Sequence, residues 1–295
     1  MPTRLSLSYY PWITQSISGS ELEQAISGFA RLLQEALGNA FQIDTPKVME
    51  IPDQLTDLKA KPAGDVAGKV GLLNPIGYAL AHKDVPDVKV VAVVRRRIGT
   101  EVGPTYKAQL YTHRDNGISE LKQARGRSVA FGSPQSTSNF LVPAMMLWKQ
   151  AIHPLNGFTR VQFAGGHDKA AVAVYKRELD VGAGHDGVIS DLASKPEFGD
   201  AAQVLVRLAF SDPIPSDPVA IHTSDPKLRD QVAQALVRIA KPDDPNSDGN
   251  QAVQRFWGTK EGFEAISPNV PDAYASLLDL MTPLGLRADD VLRKI

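Results

Sequence analysis

The chain has 295 residues, 43% hydrophobic and 22% charged, with a formal net charge of -1 and no cysteine. Such values fit a globular protein long enough for two lobes, and the near-zero charge gives no sign of a nucleic-acid partner or an anionic membrane surface. The missing cysteines exclude disulfides, thiolate metal sites and a Cys nucleophile, and no apolar run is long enough to span a bilayer.

Met1-Pro2-Thr3-Arg4 leads straight into a first strand at residues 5–9, with no charged, apolar and small-residue signal pattern before it. Two readings stay open, a cytoplasmic protein or a mature form that carries a new start Met. A helix follows over residues 19–37, with apolar positions at Leu22, Ile26, Phe29, Leu33 and Leu37 and Gly38 as its stop. Residues 70–73 form a short strand and Asn74-Pro75 opens a helix to residue 81. Residues 88–94 are apolar after Lys89, as in a strand buried on both faces of a parallel sheet. Residues 106–112 are a further strand.

The middle of the chain alternates strand, polar turn and helix. Residues 128–131 lead through Gly132-Ser133-Pro134-Gln135-Ser136-Thr137-Ser138-Asn139 into an apolar helix at residues 140–148. A helix N-terminus carries unpaired N–H donors and a partial positive charge, so three consecutive hydroxyls there suit an oxyanion. An ordinary N-cap explains one of the three. Residues 160–163 lead into Gly165-Gly166-His167-Asp168 and a helix to Arg177. Residues 179–183 lead into His185-Asp186-Gly187, and residues 203–210 form another strand. In open α/β sheets ligands bind at such turns, beyond the carboxyl ends of the strands.

Pro213-Ile214-Pro215-Ser216-Asp217-Pro218 breaks this rhythm and leads to a return strand at residues 219–221. Helices are expected over residues 225–240, 250–257, 262–266 and 270–281, with a polar loop at residues 241–249. The expected organisation is a hinge-bending pair of lobes, residues 1–104 plus 217–295 and residues 105–216, with crossings near residues 103–105 and 215–216.

Six motifs in order make the chain resemble the substrate-binding proteins of phosphonate and phosphite ABC importers, which have the two-lobe type II periplasmic-binding-protein fold, an α/β architecture. They are Gly71-Leu72-Leu73-Asn74-Pro75-Ile76-Gly77-Tyr78, Tyr106 with His113-Arg114-Asp115-Asn116-Gly117-Ile118, Gly126-Arg127-Ser128 with Ser136-Thr137-Ser138, Gly165-Gly166-His167-Asp168, Leu179-Asp180-Val181-Gly182-Ala183 and Ile214-Pro215-Ser216-Asp217-Pro218. The resemblance implies that Ser136, Thr137 and Ser138 bind a phosphorus oxyanion, with Tyr106 donating its phenol and His167 touching the anion. Asp186 or Gly187 falls at the family's specificity contact, Asp217 at its cleft carboxylate, and Tyr78 within its Gly-Pro-x-x-Tyr segment. Tyr10, with Tyr9 and Trp12, either walls the site or packs on the following helix. An ionised Asp217 accepts the proton of a phosphonate, whereas sulfate offers none and would meet an unrelieved like charge. Asn139 replaces a common Gly, Leu73-Asn74-Pro75 replaces Gly-Pro, and residues 51–64 lack the first-lobe Tyr of aminoalkyl-phosphonate binders, which favours a small or unusual ligand.

Read singly, His185 is peripheral, Trp148 belongs in the core and Arg95-Arg96-Arg97 is a solvated charge run. There is no Gly-x-Ser-x-Gly, His-Glu-x-x-His or Walker lysine, so no enzyme is expected, and neither is a cofactor or a metal. The expected protein is a monomeric, extracytoplasmic receptor, periplasmic or lipid-anchored, which hands a small oxyanion to an importer permease and has no nucleic-acid partner. The alternatives are a sensor domain on the same fold, for an oxyanion such as arsenite, and a biosynthetic enzyme built on it.

Overall fold

The computed structural model describes residues 1–11, 13–14, 19–98, 100–240, 244, 247–265 and 270–292, with the backbone alone at residues 98 and 270–272. Trp12 and most of the expected polar loop at 241–249 therefore lie outside the described residues. The chain divides into two units, Met1–Thr105 with Pro215–Leu277, and Tyr106–Ile214 with Leu278–Ile295. The sequence reading ran the first lobe to residue 295. The last segment instead groups with the second unit, where the Gln135 side-chain amide donates to the carbonyl of Leu292 at 3.4 Å.

The first unit starts with β1 (Thr3–Tyr9) and α1 (Gly19–Leu37). Leu22, Ile26, Phe29 and Leu33 recur every three or four residues in α1, so one stripe is apolar and that stripe is buried. β2 (Phe41–Ile43) and β3 (Lys47–Val48) follow. The next helix, α2 (Ile51–Lys59), was not expected; its buried face is Ile51, Gln54, Leu55 and Leu58. β4 (Val66–Leu72) leads to α3 (Pro75–Asp84), where Asn74 Oδ1 accepts the Gly77 N–H at 2.8 Å and Pro75 occupies the first turn. β5 (Val88–Val94), β6 (Arg96–Ile98), β7 (Glu101–Gly103) and β8 (Thr105–Tyr106) complete this stretch.

The second unit takes in β9 (Ala108–His113), β10 (Ser128–Phe131), α4 (Val142–Lys149), β11 (Arg160–Phe163), α5 (His167–Tyr175) and β12 (Val181–His185). α6 (Val188–Ala193), α7 (Ala201–Val204), β13 (Leu205–Phe210) and β14 (Ile214–Pro215) follow. The expected strand at 106–112 is thus two strands broken at Lys107. The chain then adds β15 (Pro218–His222), α8 (Pro226–Ile239), α9 (Asp248–Trp257), β16 (Phe263–Ala265) and α10 (Val270–Asp279) to the first unit, and α11 (Ala288–Val291) to the second.

In the first unit the sheet order is β16-β5-β15-β4-β1-β2, with β3 also paired to β1. β5 lies between β15 and β16, both antiparallel to it, so its burial on two faces comes from a mixed sheet and not the parallel one expected. Residues 262–266 were expected as a helix. Phe263 is instead buried in β16 and pairs with Val94, because an edge position was open beside β5. In the second unit the order is β11-β10-β12-β9-β13, with β10 parallel to both neighbours. Its core includes Tyr111, Ala130, Ala170, Val174 and Leu192. Trp148, read as core, sits 41% exposed at the end of α4, its ring 5.8 Å from that of His153.

Candidate functional site at the sheet edges

Each sheet has one edge where its parallel strands end. In the second unit β10, β11 and β12 finish at Phe131, Phe163 and His185, and β9, running the other way, begins there at Ala108. That edge therefore carries the turn at 132–139, the turn at 164–167, the turn at 185–187 and the segment at 106–107. These are the places where the sequence put Ser136, Thr137, Ser138, His167, Asp186 and Tyr106. Backbone bonds tie the turns together. Gly165 N–H donates to the Gly132 carbonyl at 2.7 Å, and the Gly165 φ of +86° is one that a side chain would strain.

The Ser/Thr turn opens not into an α-turn but into a π turn. Leu141 N–H donates to the Ser136 carbonyl five residues back at 3.1 Å, and Val142 N–H to that of Thr137. Such turns are rare and concentrate at functional sites. A π start leaves one more N–H without an intrahelical partner than an α start does. Ser136, Thr137 and Ser138 are all buried. Ser136 Oγ accepts the Asn139 N–H at 3.1 Å, so it is the cap, and its own proton is left to donate.

Asn139 replaces the common Gly here, and its side chain explains how. Nδ2 donates to the Ala183 carbonyl of β12 at 3.0 Å, pinning the turn to the neighbouring strand. The space it fills is that of a missing side chain, since a Cβ at Gly132 would overlap Asn139 Oδ1. Oδ1 itself is buried and, among the described residues, accepts no hydrogen bond.

His167 is the first residue of α5, and its Nδ1 accepts the His185 N–H at 3.1 Å. A neutral imidazole whose Nδ1 accepts carries its proton on Nε2, so His167 presents a donor. His185, read as peripheral, is part of the same cluster. Its ring lies 4.8 Å from that of His167, its Nδ1 accepts the Gly187 N–H at 3.1 Å, and its Nε2 is 3.4 Å from Asp191 Oδ2. The signal missed in the sequence was its place at a strand end, one residue before Asp186. Asp186 is engaged with the backbone, since its Oδ2 accepts the Lys107 N–H at 3.2 Å and its N–H donates to the Lys107 carbonyl at 2.9 Å. Tyr106 is buried in β8, 5% exposed.

In the first unit β1, β4 and β5 end at Tyr9, Leu72 and Val94, and β15 begins beside them, with Val219 opposite Leu72 and Pro218 opposite Val93. Tyr10, Asn74 and Asp217 therefore share this edge, and Tyr10 is 4% exposed. Asp217 is not the bare carboxylate the sequence suggested. Arg96 Nη2 donates to its Oδ2 at 2.6 Å. Arg96 in turn is no solvated charge: Nε donates to Ser216 Oγ at 3.0 Å and Nη1 to the Trp257 carbonyl at 2.8 Å. The unrelieved like charge expected to face sulfate is thus relieved within the protein.

Tyr78 does not belong to either edge. It is fully buried, its ring stacks with His82 and meets Tyr274 edge-on at 5.0 Å, and its hydroxyl accepts the Val90 N–H at 3.3 Å. Burial pushes its phenol up to about 12. It is a core residue, because α3 turns that face onto β5. Among the described residues no group of three His, Asp or Glu side chains could hold a metal ion, and no helix is long and apolar enough to cross a membrane.

Two α/β units, one with a purely polar turn cluster and one with an ion pair at the carboxyl edge, define the architecture of the two-lobe type II periplasmic binding proteins. Comparison with known proteins supports that class. The fold superposes on PhnD1 from Prochlorococcus marinus in complex with methylphosphonate, with a TM-score of 0.70 at 16% identity, over 97% of this chain and 99% of that one. The family model described as "ABC transporter, phosphonate, periplasmic substrate-binding protein" matches residues 13–270, and the chain belongs to that family. Two curated relatives are the phosphate-import protein PhnD of Mycolicibacterium smegmatis, 24% identical over 58% of this chain, and the phosphonates-binding periplasmic protein of Escherichia coli, 29% identical over 43%. The chain spans 53% of the length of the first and 38% of the second. The family and fold are those of substrate-binding transport proteins.

Proposed function

We propose that this chain is the solute-binding receptor of an ABC importer and that it takes a small phosphorus oxyanion, such as phosphonate, phosphite or phosphate, at the Ser136–Thr137–Ser138 turn. The observation that carries this reading is the orientation of the second unit's edge. Ser136 Oγ accepts the Asn139 N–H, so the Ser136 hydroxyl proton is left to donate beside a helix N-terminus, and His167 opens the neighbouring helix at the same edge. Donors without a cation are a sufficient holder for an oxyanion at such an end. The relatives named for phosphate and phosphonates, and the neighbour holding methylphosphonate, support the same chemical class. Asp186 already accepts the Lys107 N–H, which favours an inorganic or one-carbon ligand over one with an aminoalkyl arm.

In this reading Tyr106 adds a phenol donor. The receptor works on the outer side of the cytoplasmic membrane, periplasmic or lipid-anchored, as a monomer that delivers its ligand to a permease. Calorimetry with phosphite, methylphosphonate, aminoethylphosphonate, phosphate and sulfate tests it. At least one phosphorus oxyanion should bind; no heat with any phosphorus ligand overturns the proposal.

A further inference from the structure

We infer that Asn139 is a positioning residue of the oxyanion turn: its side-chain amide fastens Ser136, Thr137 and Ser138 to β12, and the turn holds its donors in line for the anion only while that tie is made. The inference concerns the second unit alone and rests on the reading above that the anion sits on this turn.

Several bonds give the turn its shape without fastening it to the sheet. Ser136 N–H donates to the Ser133 carbonyl at 3.0 Å, Gln135 N–H to Ser133 Oγ at 3.2 Å and Leu141 N–H to the Ser136 carbonyl at 3.1 Å. Asn139 reaches outward instead. Its carbonyl accepts the Gly132 N–H at 3.4 Å, just past the end of β10, and its Nδ2 donates to the Ala183 carbonyl at 3.0 Å in β12. One residue at the end of the hydroxyl run thus meets two neighbouring strands. The β10–β12 pairing stops at Ala130 opposite Gly182, and the Asn139 amide takes over one residue further along β12. It continues the bonding of the sheet after β10 has turned away.

The hole for this amide is made by space and not by backbone strain. Gly132 lies outside the left-handed region, yet a Cβ there would overlap Asn139 Oδ1. An apolar side chain of the same shape would fill that hole with no polar atom to satisfy. Asn139 is fully buried, and its Oδ1 accepts no hydrogen bond among the described residues, which costs stability. What the amide supplies and a filler cannot is the Nδ2 donor. The Ala183 carbonyl does not depend on it, because Tyr111 Oη donates to the same oxygen at 3.2 Å, from a ring for which Gly182 leaves room. Loss of Nδ2 therefore unfastens the turn without orphaning a buried carbonyl, and positioning separates from stability.

The test is Asn139→Leu, which keeps the branched shape and removes both the donor and the unpaired oxygen. It is read by denaturant unfolding, amide hydrogen exchange and calorimetry with methylphosphonate, phosphite and phosphate. Stability should stay close to that of the unaltered protein. Exchange at Leu141 and Val142 should quicken by about fivefold or more, while that at Val129 and Val181 in the sheet should not. Affinity for whichever of the three the unaltered protein binds should fall by about tenfold, as donors drift from their productive geometry. Unchanged exchange at Leu141 and Val142 overturns the inference, and so does quicker exchange with unchanged affinity. Should Asn139→Leu not fold, Asn139→Gly with Gly132→Ala decides: the Ala methyl enters the hole from the other side and no donor reaches Ala183. Affinity should fall again, and an affinity equal to that of the unaltered protein overturns the inference. Failure of the unaltered protein to bind methylphosphonate, phosphite or phosphate would instead remove the functional reading itself, and this inference with it.

Discussion

The five-stranded sheet of the second unit has polar residues along both of its edges, and they are used in opposite ways. At one edge Asp180 is held through its carboxylate, its N–H and its carbonyl together. Its Oδ2 accepts the Ser128 N–H at 2.9 Å and Ser128 Oγ–H at 2.7 Å, its N–H donates to Ser128 Oγ at 2.9 Å, and its carbonyl accepts from Thr112 Oγ1 at 2.6 Å and Asn116 Nδ2 at 3.1 Å. At the other edge Ser136 Oγ accepts the Asn139 N–H, and its own proton is not consumed in that contact. A polar group with both roles satisfied internally is a strut. One with only its acceptor satisfied is a strut and a donor at once. Residue type alone does not separate these two cases, since Ser128 and Ser136 are both serines at strand or helix starts.

The largest effect should come from Gly132→Ala. The new Cβ would overlap the Asn139 amide, which is fully buried and fixed to Ala183, so overpacking should cost about 3 kcal/mol in denaturant unfolding. A loss under about 1 kcal/mol would mean that the turn yields easily. Asp180→Ala should cost about 2 kcal/mol of stability by orphaning the groups around Ser128, yet leave the oxyanion affinity of the folded protein unchanged. An affinity loss without a stability loss would erase the distinction between the edges. Thr137→Val is its counterpart: the shape stays, one hydroxyl goes, and binding should weaken by about 1–3 kcal/mol. Unaltered binding would reduce the Ser/Thr turn to a cap.

Two smaller effects concern the buried phenols. Burial holds Tyr78 up near 12 and raises Tyr111 further, so the unfolded chain loses these protons first, from about pH 10 upward. Stability should be flat below that point and fall above it, by up to about 1.4 kcal/mol per pH unit for each phenol still protonated in the fold. An alkaline unfolding curve with no such fall would contradict their burial. Tyr78→Phe should cost about 1 kcal/mol through the lost Val90 bond, flatten part of that slope and leave ligand affinity untouched. A drop in affinity would return Tyr78 to the site.

Much of the fold was legible because it depends on local rules. α1 begins and ends where the spacing of Leu22, Ile26, Phe29 and Leu33 says it should, and β5 and β10 span the residues expected of them. The second unit's turn cluster was legible too, since any turn after a parallel strand lies at the same edge as the others. What misled was context. Residues 263–265 have no strong preference and became a strand because β5 had an unpaired side. Tyr78 stands in a motif but lies in the core, since α3 is buried all round from Pro75 to Ala81.

By itself, then, the sequence determined where strands, helices and the hydroxyl turn lie, because periodicity, caps and turn residues act over a few positions. Only the tertiary structure decided what each polar group does there. Arg96 and Asp217 are 121 residues apart along the chain, and nothing local announces that they meet at 2.6 Å. Partners at such separations are chosen by packing, and it is the partner that decides whether a carboxylate is a charge or a neutral acceptor, and whether an imidazole offers a proton or takes one.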